Sequence, residues 1–212
     1  MVRLQRLTGM RPAETCLLRP ADIDRSGDVW IYRPTSHKTQ HAGKERIISL
    51  GPKAQRILIC YLARDSEMFC FRPCDSEHKR RAERNAARCT PLSSGNGPGS
   101  SRILKPKREP GDQYSSASYR RAIGRACDRA FPHPTLSQVS TAQLNRQELQ
   151  DLRTWQQSHR WSPNQLRHSA ATDIRRRFGL EAAQVVLGRS GVTQVYAERY
   201  FGLAAKVTRH CD

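Results

Sequence analysis

The chain has 212 residues, with 37 Lys and Arg against 19 Asp and Glu, for a net charge of +18. That length buries one good core or two small ones, and that charge excludes a protein indifferent to polyanions. No stretch approaches the roughly 18 apolar residues that span a membrane, so no membrane partner is expected.

Residues 1–10 lack the apolar centre of a signal peptide. The seven cysteines show no paired CxxC spacing, which reads as free thiols in a reducing cytoplasm. Arg outnumbers Lys, which favours geometric phosphate contacts over diffuse attraction.

Residues 2–18 read as a helix, a turn at Thr8-Gly9-Met10 and a second helix, with Pro12 suited to its first turn. Ser26-Gly27-Asp28 marks a turn, and residues 29–32 are strand formers. A polar connection over residues 34–43 leads to a second strand over residues 45–50, so a small antiparallel sheet is expected. Residues 52–62 show helical periodicity through Ala54, Ile57, Leu58 and Tyr61. Cys70, Cys74 and His78 sit four apart, but no fourth ligand is evident and no metal site is expected.

The middle differs in composition. Residues 78–129 hold thirteen Lys and Arg against four acidic residues, with a Ser/Gly-rich run at 93–101. Such a segment has no apolar set for a core, so residues 78 to about 117 read as a flexible basic insertion. Lys79, Arg80, Arg81, Lys105, Lys107 and Arg108 within it are candidate DNA contacts, the plainer alternative being a solvated linker. Helical periodicity returns at residues 118–130. Ser162 suits a helix cap and Pro163 a first turn, and Leu166, Ala170, Ile174 and Phe178 recur every four residues up to Gly179. A short apolar helix over residues 181–187 stops at Gly188, and a last helix or coil carries Tyr196, Tyr200 and Phe201.

Phosphodiester transfer without a metal needs fixed guanidinium groups on the non-bridging oxygens, an in-line nucleophile and a proton for the departing oxygen. Arg11 lies at a helix start, where backbone N–H groups also favour an anion. Arg167 lies one turn after Asn164, on the same helix face. His168, beside Arg167, reads as a buried, hydrogen-bonded support.

Three segments carry a more specific signal. Leu7-Thr8-Gly9-Met10-Arg11-Pro12-Ala13-Glu14 resembles the first-arginine box of the tyrosine recombinases, the phage-integrase family. Gln165-Leu166-Arg167-His168-Ser169-Ala170-Ala171-Thr172 resembles the second-arginine box. Val186-Leu187-Gly188 with Val192-Thr193-Gln194-Val195-Tyr196-Ala197-Glu198-Arg199 resembles the segment that ends in the nucleophile.

The resemblance implies that Arg11 and Arg167 clamp the scissile phosphate, with Glu14 in support, and that Tyr196 attacks it to leave a 3′-phosphotyrosine and a free 5′-hydroxyl. It places the general-acid lysine on the strand hairpin, where Lys38 matches best and Lys44 is the fallback, also counted among the DNA contacts. A lysine near its ordinary pKa of about 10.4 holds that proton at neutral pH. Because the ester keeps the bond energy, no cofactor is needed. Asn164 stands where the family commonly has His, and its amide can still donate to phosphate. Arg189 stands where His or Trp is common, and its interval to Tyr196 is short for the family.

The expected fold is α+β, mainly helical, a tyrosine-recombinase-like catalytic domain with a small antiparallel sheet. It would be a single domain over residues 1–212, with the family's N-terminal core-binding domain expected to be absent. Double-stranded DNA is the implied partner, a homo-oligomer up to a tetramer on DNA the implied assembly, and the nucleoid in the cytoplasm the implied place. Phe201, Leu203, Ala204 and Val207 form an apolar set that either docks on a neighbour or packs within its own subunit. The alternatives are a non-catalytic, DNA-binding remnant of an integrase, a type IB topoisomerase and an RNA-associated basic protein.

Overall fold

Helix α1 (Val2–Thr8) turns Leu4, Gln5 and Thr8 inward and stops at Gly9, whose left-handed backbone (φ 62°) lets its amide bond back to the Gln5 carbonyl at 2.9 Å. A Cβ at Gly9 would lie 2.9 Å from Leu187 Cδ2, so the bare backbone admits the far end of the chain against this turn. The computed structural model describes residues 1–36, 45–91, 109–188 and 197–210, with side chains from 203 onward in the last stretch.

Helix α2 (Pro12–Cys16) begins at once, with Pro12 in its first turn. A single 3-10 turn over Pro20–Asp22 leads into β1 (Ile23–Asp24), β2 (Trp30–Tyr32) and β3 (Ile48–Leu50). These strands form an antiparallel sheet in the order β1-β2-β3, with Trp30 opposite Leu50 and Tyr32 opposite Ile48. The sheet is the expected one, shortened at its ends and extended by β1, which two residues are too few to signal in sequence. Tyr32 is fully buried and its hydroxyl donates to the Glu14 carbonyl at 2.8 Å, which fastens the sheet under α2. With Leu4, Met10, Leu18, Ile48, Leu50 and Leu58 it belongs to the main core.

Helix α3 (Pro52–Leu62) follows the predicted span and buries Ala54 and Leu58. Helix α4 (Pro73–Ala86) corrects the reading of residues 78–117 as loop in its first part. It buries no residue, and its order comes instead from local pairs, with Glu77 bound to both Arg80 and Arg81 at 2.7 Å. Residues 92–108 of that insertion lie outside the described residues.

Helix α5 (Ser116–Ala130) is capped by the Ser115 hydroxyl, which accepts from the Ser118 amide at 3.1 Å. It buries Tyr119, Ile123 and Cys127 against Cys16. Helix α6 (Arg146–His159), which the sequence reading did not foresee, starts at a reciprocal cap between Asn145 and Glu148. Trp155 stacks on His159 at 3.9 Å and donates to the Phe131 carbonyl at 3.1 Å, which joins α6 to the end of α5.

Helix α7 (Pro163–Leu187) leaves helical geometry at Gly179 (φ 87°), the expected break, and ends at Gly188 (φ 59°). Helix α8 (Ala197–Arg209) brings Ala204 and Val207 into a cluster with Ile174, Ala182, Ala183 and Val186 of α7. Leu203, Ala204 and Val207 of the apolar set thus pack within their own subunit, and the Phe201 side chain lies outside the described residues.

Candidate functional site

The turn that carries Arg11 is fixed by a side chain on the helix before it. Gln5 is fully buried, and its Nε2 donates to the Met10 carbonyl (3.2 Å) and to the Pro163 carbonyl (3.0 Å). Its Oε1 accepts from the Tyr119 hydroxyl at 3.0 Å. One amide therefore ties the Arg11 turn to the first turn of α7 and to α5, across 158 residues of sequence. A buried amide with its donors and acceptor satisfied holds its neighbours to one arrangement.

Arg11 is the cap residue of α2, in extended geometry, with about a quarter of its side chain exposed. The carboxylate of Glu14 accepts from the Arg11 backbone amide (2.6 Å) and from its Nη1 (2.8 Å). The anion at this helix start is thus the helix's own Glu14. From below, Arg46 Nε donates to the same carboxylate at 3.3 Å. Glu14 and Arg46 are both buried, at 1 and 4 % side-chain exposure. Burial pushes the Glu14 carboxyl up, yet Arg46 and Arg11 together outweigh it and hold it below its ordinary value.

Arg167 comes in from α7. Its Nη1 donates to the Gly9 carbonyl at 2.5 Å and its Nη2 to the Leu187 carbonyl at 2.6 Å. Gly9 lies in the first of the three sequence boxes, Arg167 in the second and Leu187 in the third, so one guanidinium joins all three. Arg46 adds a second link, with Nη1 donating to the Val186 carbonyl at 3.2 Å. Two of the carbonyls that end α7 are therefore taken by cations, at the negative end of the helix dipole.

Asn164 is exposed, and its side chain makes no hydrogen bond among the described residues. His168 corrects the expectation of a buried support: its side chain is exposed, and only its carbonyl takes a side-chain hydrogen bond, from the Thr172 hydroxyl at 3.0 Å. Successive helical residues point in different directions, so an inward Arg167 sends its neighbour outward. Both side chains line a cleft of about 590 Å³ between α5, α6 and the start of α7, with Arg120, Arg153, Arg160 and Trp161. Arg160 is fixed there by a two-pronged bond to Asp128 (2.7 and 2.6 Å). His168 also meets Arg167 in a smaller hollow, so cleft and arginine cluster adjoin on one helix.

Lys79, Arg80 and Arg81 are exposed on α4, partly compensated by Glu77 and Glu83. Lys38, Lys44, Lys105, Lys107, Arg108, Arg189 and Tyr196 lie outside the described residues. Among the described residues no three His, Cys, Asp or Glu are grouped to hold a metal ion. Cys70 is buried, Cys74 touches Asp112 at 3.4 Å and His78 is exposed, so that sequence trio does not assemble.

Two site residues were missed by the motif reading. Gln5 had a signal, a polar side chain within the buried stripe of α1. Arg46 had a better one: it shares strand parity with Ile48 and Leu50, which puts a charge on the side that faces the core. No helix among the described residues is long and apolar enough to cross a membrane. No family model, curated protein or solved structure matches this chain.

Proposed function

We propose that this chain binds duplex DNA and cuts and rejoins its strands by phosphodiester transfer to Tyr196, as a tyrosine recombinase does. The observation that carries the reading is the convergence at Arg167, where carbonyls of the first and third boxes meet the guanidinium of the second. Segments so far apart in sequence that meet at one guanidinium are arranged as a shared phosphate site would need them. On this reading Arg11 and Arg167 hold the non-bridging oxygens of one phosphate. The Tyr196 hydroxyl gives up its proton and attacks phosphorus as the bond to the 5′-oxygen breaks. Lys38 or Lys44 protonates that oxygen, and the reverse attack by a 5′-hydroxyl reseals a strand. The cleft beside Asn164 and His168, with three guanidinium groups in its lining, extends the phosphate track away from the cut. Oligomerisation on paired DNA sites, and a place at the nucleoid, belong to the same reading.

A second reading is a DNA-binding remnant without strand transfer. One observation favours it: Arg167 is bound through both Nη atoms to backbone carbonyls and Arg11 through Nη1 to Glu14. The two readings part on a suicide-substrate experiment. Wild type and Tyr196→Phe are mixed with a sequence-randomised library of nicked duplexes and run on denaturing gels. Strand transfer predicts a protein–DNA adduct in wild type that is lost in the variant. Equal native-gel shifts with no adduct in either protein would favour the remnant.

A further inference from the structure

Arg46 lies outside the three boxes, yet it is the most enclosed cation of the site, 4 % exposed. Its guanidinium spans two elements, with Nε on the Glu14 carboxylate and Nη1 on the Val186 carbonyl. Its Nη2 is buried with no hydrogen-bond partner among the described residues. Gly188 follows directly, in left-handed backbone (φ 59°), and a Cβ there would collide with the Arg46 guanidinium. A buried cation is costly and is kept where it fixes an arrangement. This one is wedged between the carboxylate that braces Arg11 and the last turn of α7, from which residues 189–196 depart.

We infer that Arg46 is a positioning residue for the strand-transfer reaction: it locks the end of α7 to Glu14 and so sets where the segment bearing Arg189 and Tyr196 begins. Arg46 touches no DNA on this account. It acts through Glu14 on the Arg11 side and through Val186 and Gly188 on the nucleophile side. Arg167, on the neighbouring Leu187 carbonyl, is its companion at the same helix end. The inference rests on the function proposed above, but its structural half is testable without activity.

The experiment compares wild type, Arg46→Lys and the harsher Arg46→Met. Lysine keeps the charge against Glu14 and gives up the second prong to Val186. Three readouts are taken: amide exchange over residues 183–196 against the rest of the chain, duplex affinity, and the rate of adduct formation. Arg46→Lys is expected to raise exchange over that peptide alone, to leave affinity within about twofold, and to slow the adduct step about ten- to a hundredfold, the scale of a sub-ångström to ångström misplacement. Should Arg46→Met fail to fold, Arg46→Lys decides. Wild-type exchange and rate in Arg46→Lys overturn the inference, and so does a loss spread evenly over exchange, affinity and rate, which marks plain support of the fold. If wild type forms no adduct on any duplex, strand transfer falls, while local exchange in Arg46→Lys still upholds or overturns the lock.

Discussion

At Glu14 two guanidinium groups meet one buried carboxylate, and that ratio governs how the site answers to acid. The folded pKa lies below the unfolded one, so the ionised carboxylate contributes its full stability above the unfolded value, about 4.3. The contribution is lost as pH falls through that value toward the folded one, where the unfolded chain binds more protons than the native. Wild type is therefore expected to lose melting temperature steeply below about pH 4. Glu14→Gln should lose about 3 kcal/mol of stability at neutral pH, as for a broken buried pair, and so melt lower there, but with a flatter acid limb. Melting followed by circular dichroism between neutral and acid pH checks both. Parallel acid limbs would show that another carboxylate governs the acid transition. Residue scale is also where sequence reading was least complete. Arg11, Glu14 and Arg167 were legible from their boxes, whereas Gln5 and Arg46 act through contacts to distant backbone that no local pattern encodes.

The helices divide by what holds them. α3, α5 and α7 were legible because apolar residues recur at helical spacing and their ends carry Pro, Ser or Gly. α4 and α6 bury nothing completely, so periodicity had little to report. α6 gains support from Trp155 against His159 and Phe131, and from a full cap at Asn145. α4 has its own charge pairs, Tyr114 on Ser76, and Arg64 and Arg72 near its start. Surface pairs of this kind stabilise little, about 0.3–0.5 kcal/mol each. Amide hydrogen exchange over Pro73–Ala86 is thus expected to be much faster than over Ser116–Ala130. Equal protection in the two helices would mean that α4 is covered by something beyond its own pairs.

Across the whole molecule, the charge of +18 is carried on outward faces as well as at the site. Arg120, Arg121, Arg125 and Arg129 are exposed on α5, and Arg175, Arg176 and Arg177 on α7. Composition alone pointed to a polyanion, but the cleft that gathers Arg120, Arg153 and Arg160 arises from α5, α6 and α7 packing together and could not be read beforehand. If this cleft seats the DNA backbone beside the cut, Arg120→Gln with Arg153→Gln should weaken duplex binding and lower the slope of log affinity against log salt by about 2. Fluorescence anisotropy at several salt concentrations reads that slope directly. An unchanged slope would move the backbone contact to another face.

Strand transfer as proposed needs three distant segments gathered around one DNA phosphate so that Tyr196 can attack it. The most direct test is to identify the attached residue. Protein trapped on nicked duplexes is digested with protease and nuclease, and peptide mass spectrometry locates the remaining nucleotide. A nucleotide linked through a 3′-phosphate to Tyr196 is expected. Attachment at any other residue, or no attachment across the randomised duplexes while binding persists, would contradict it.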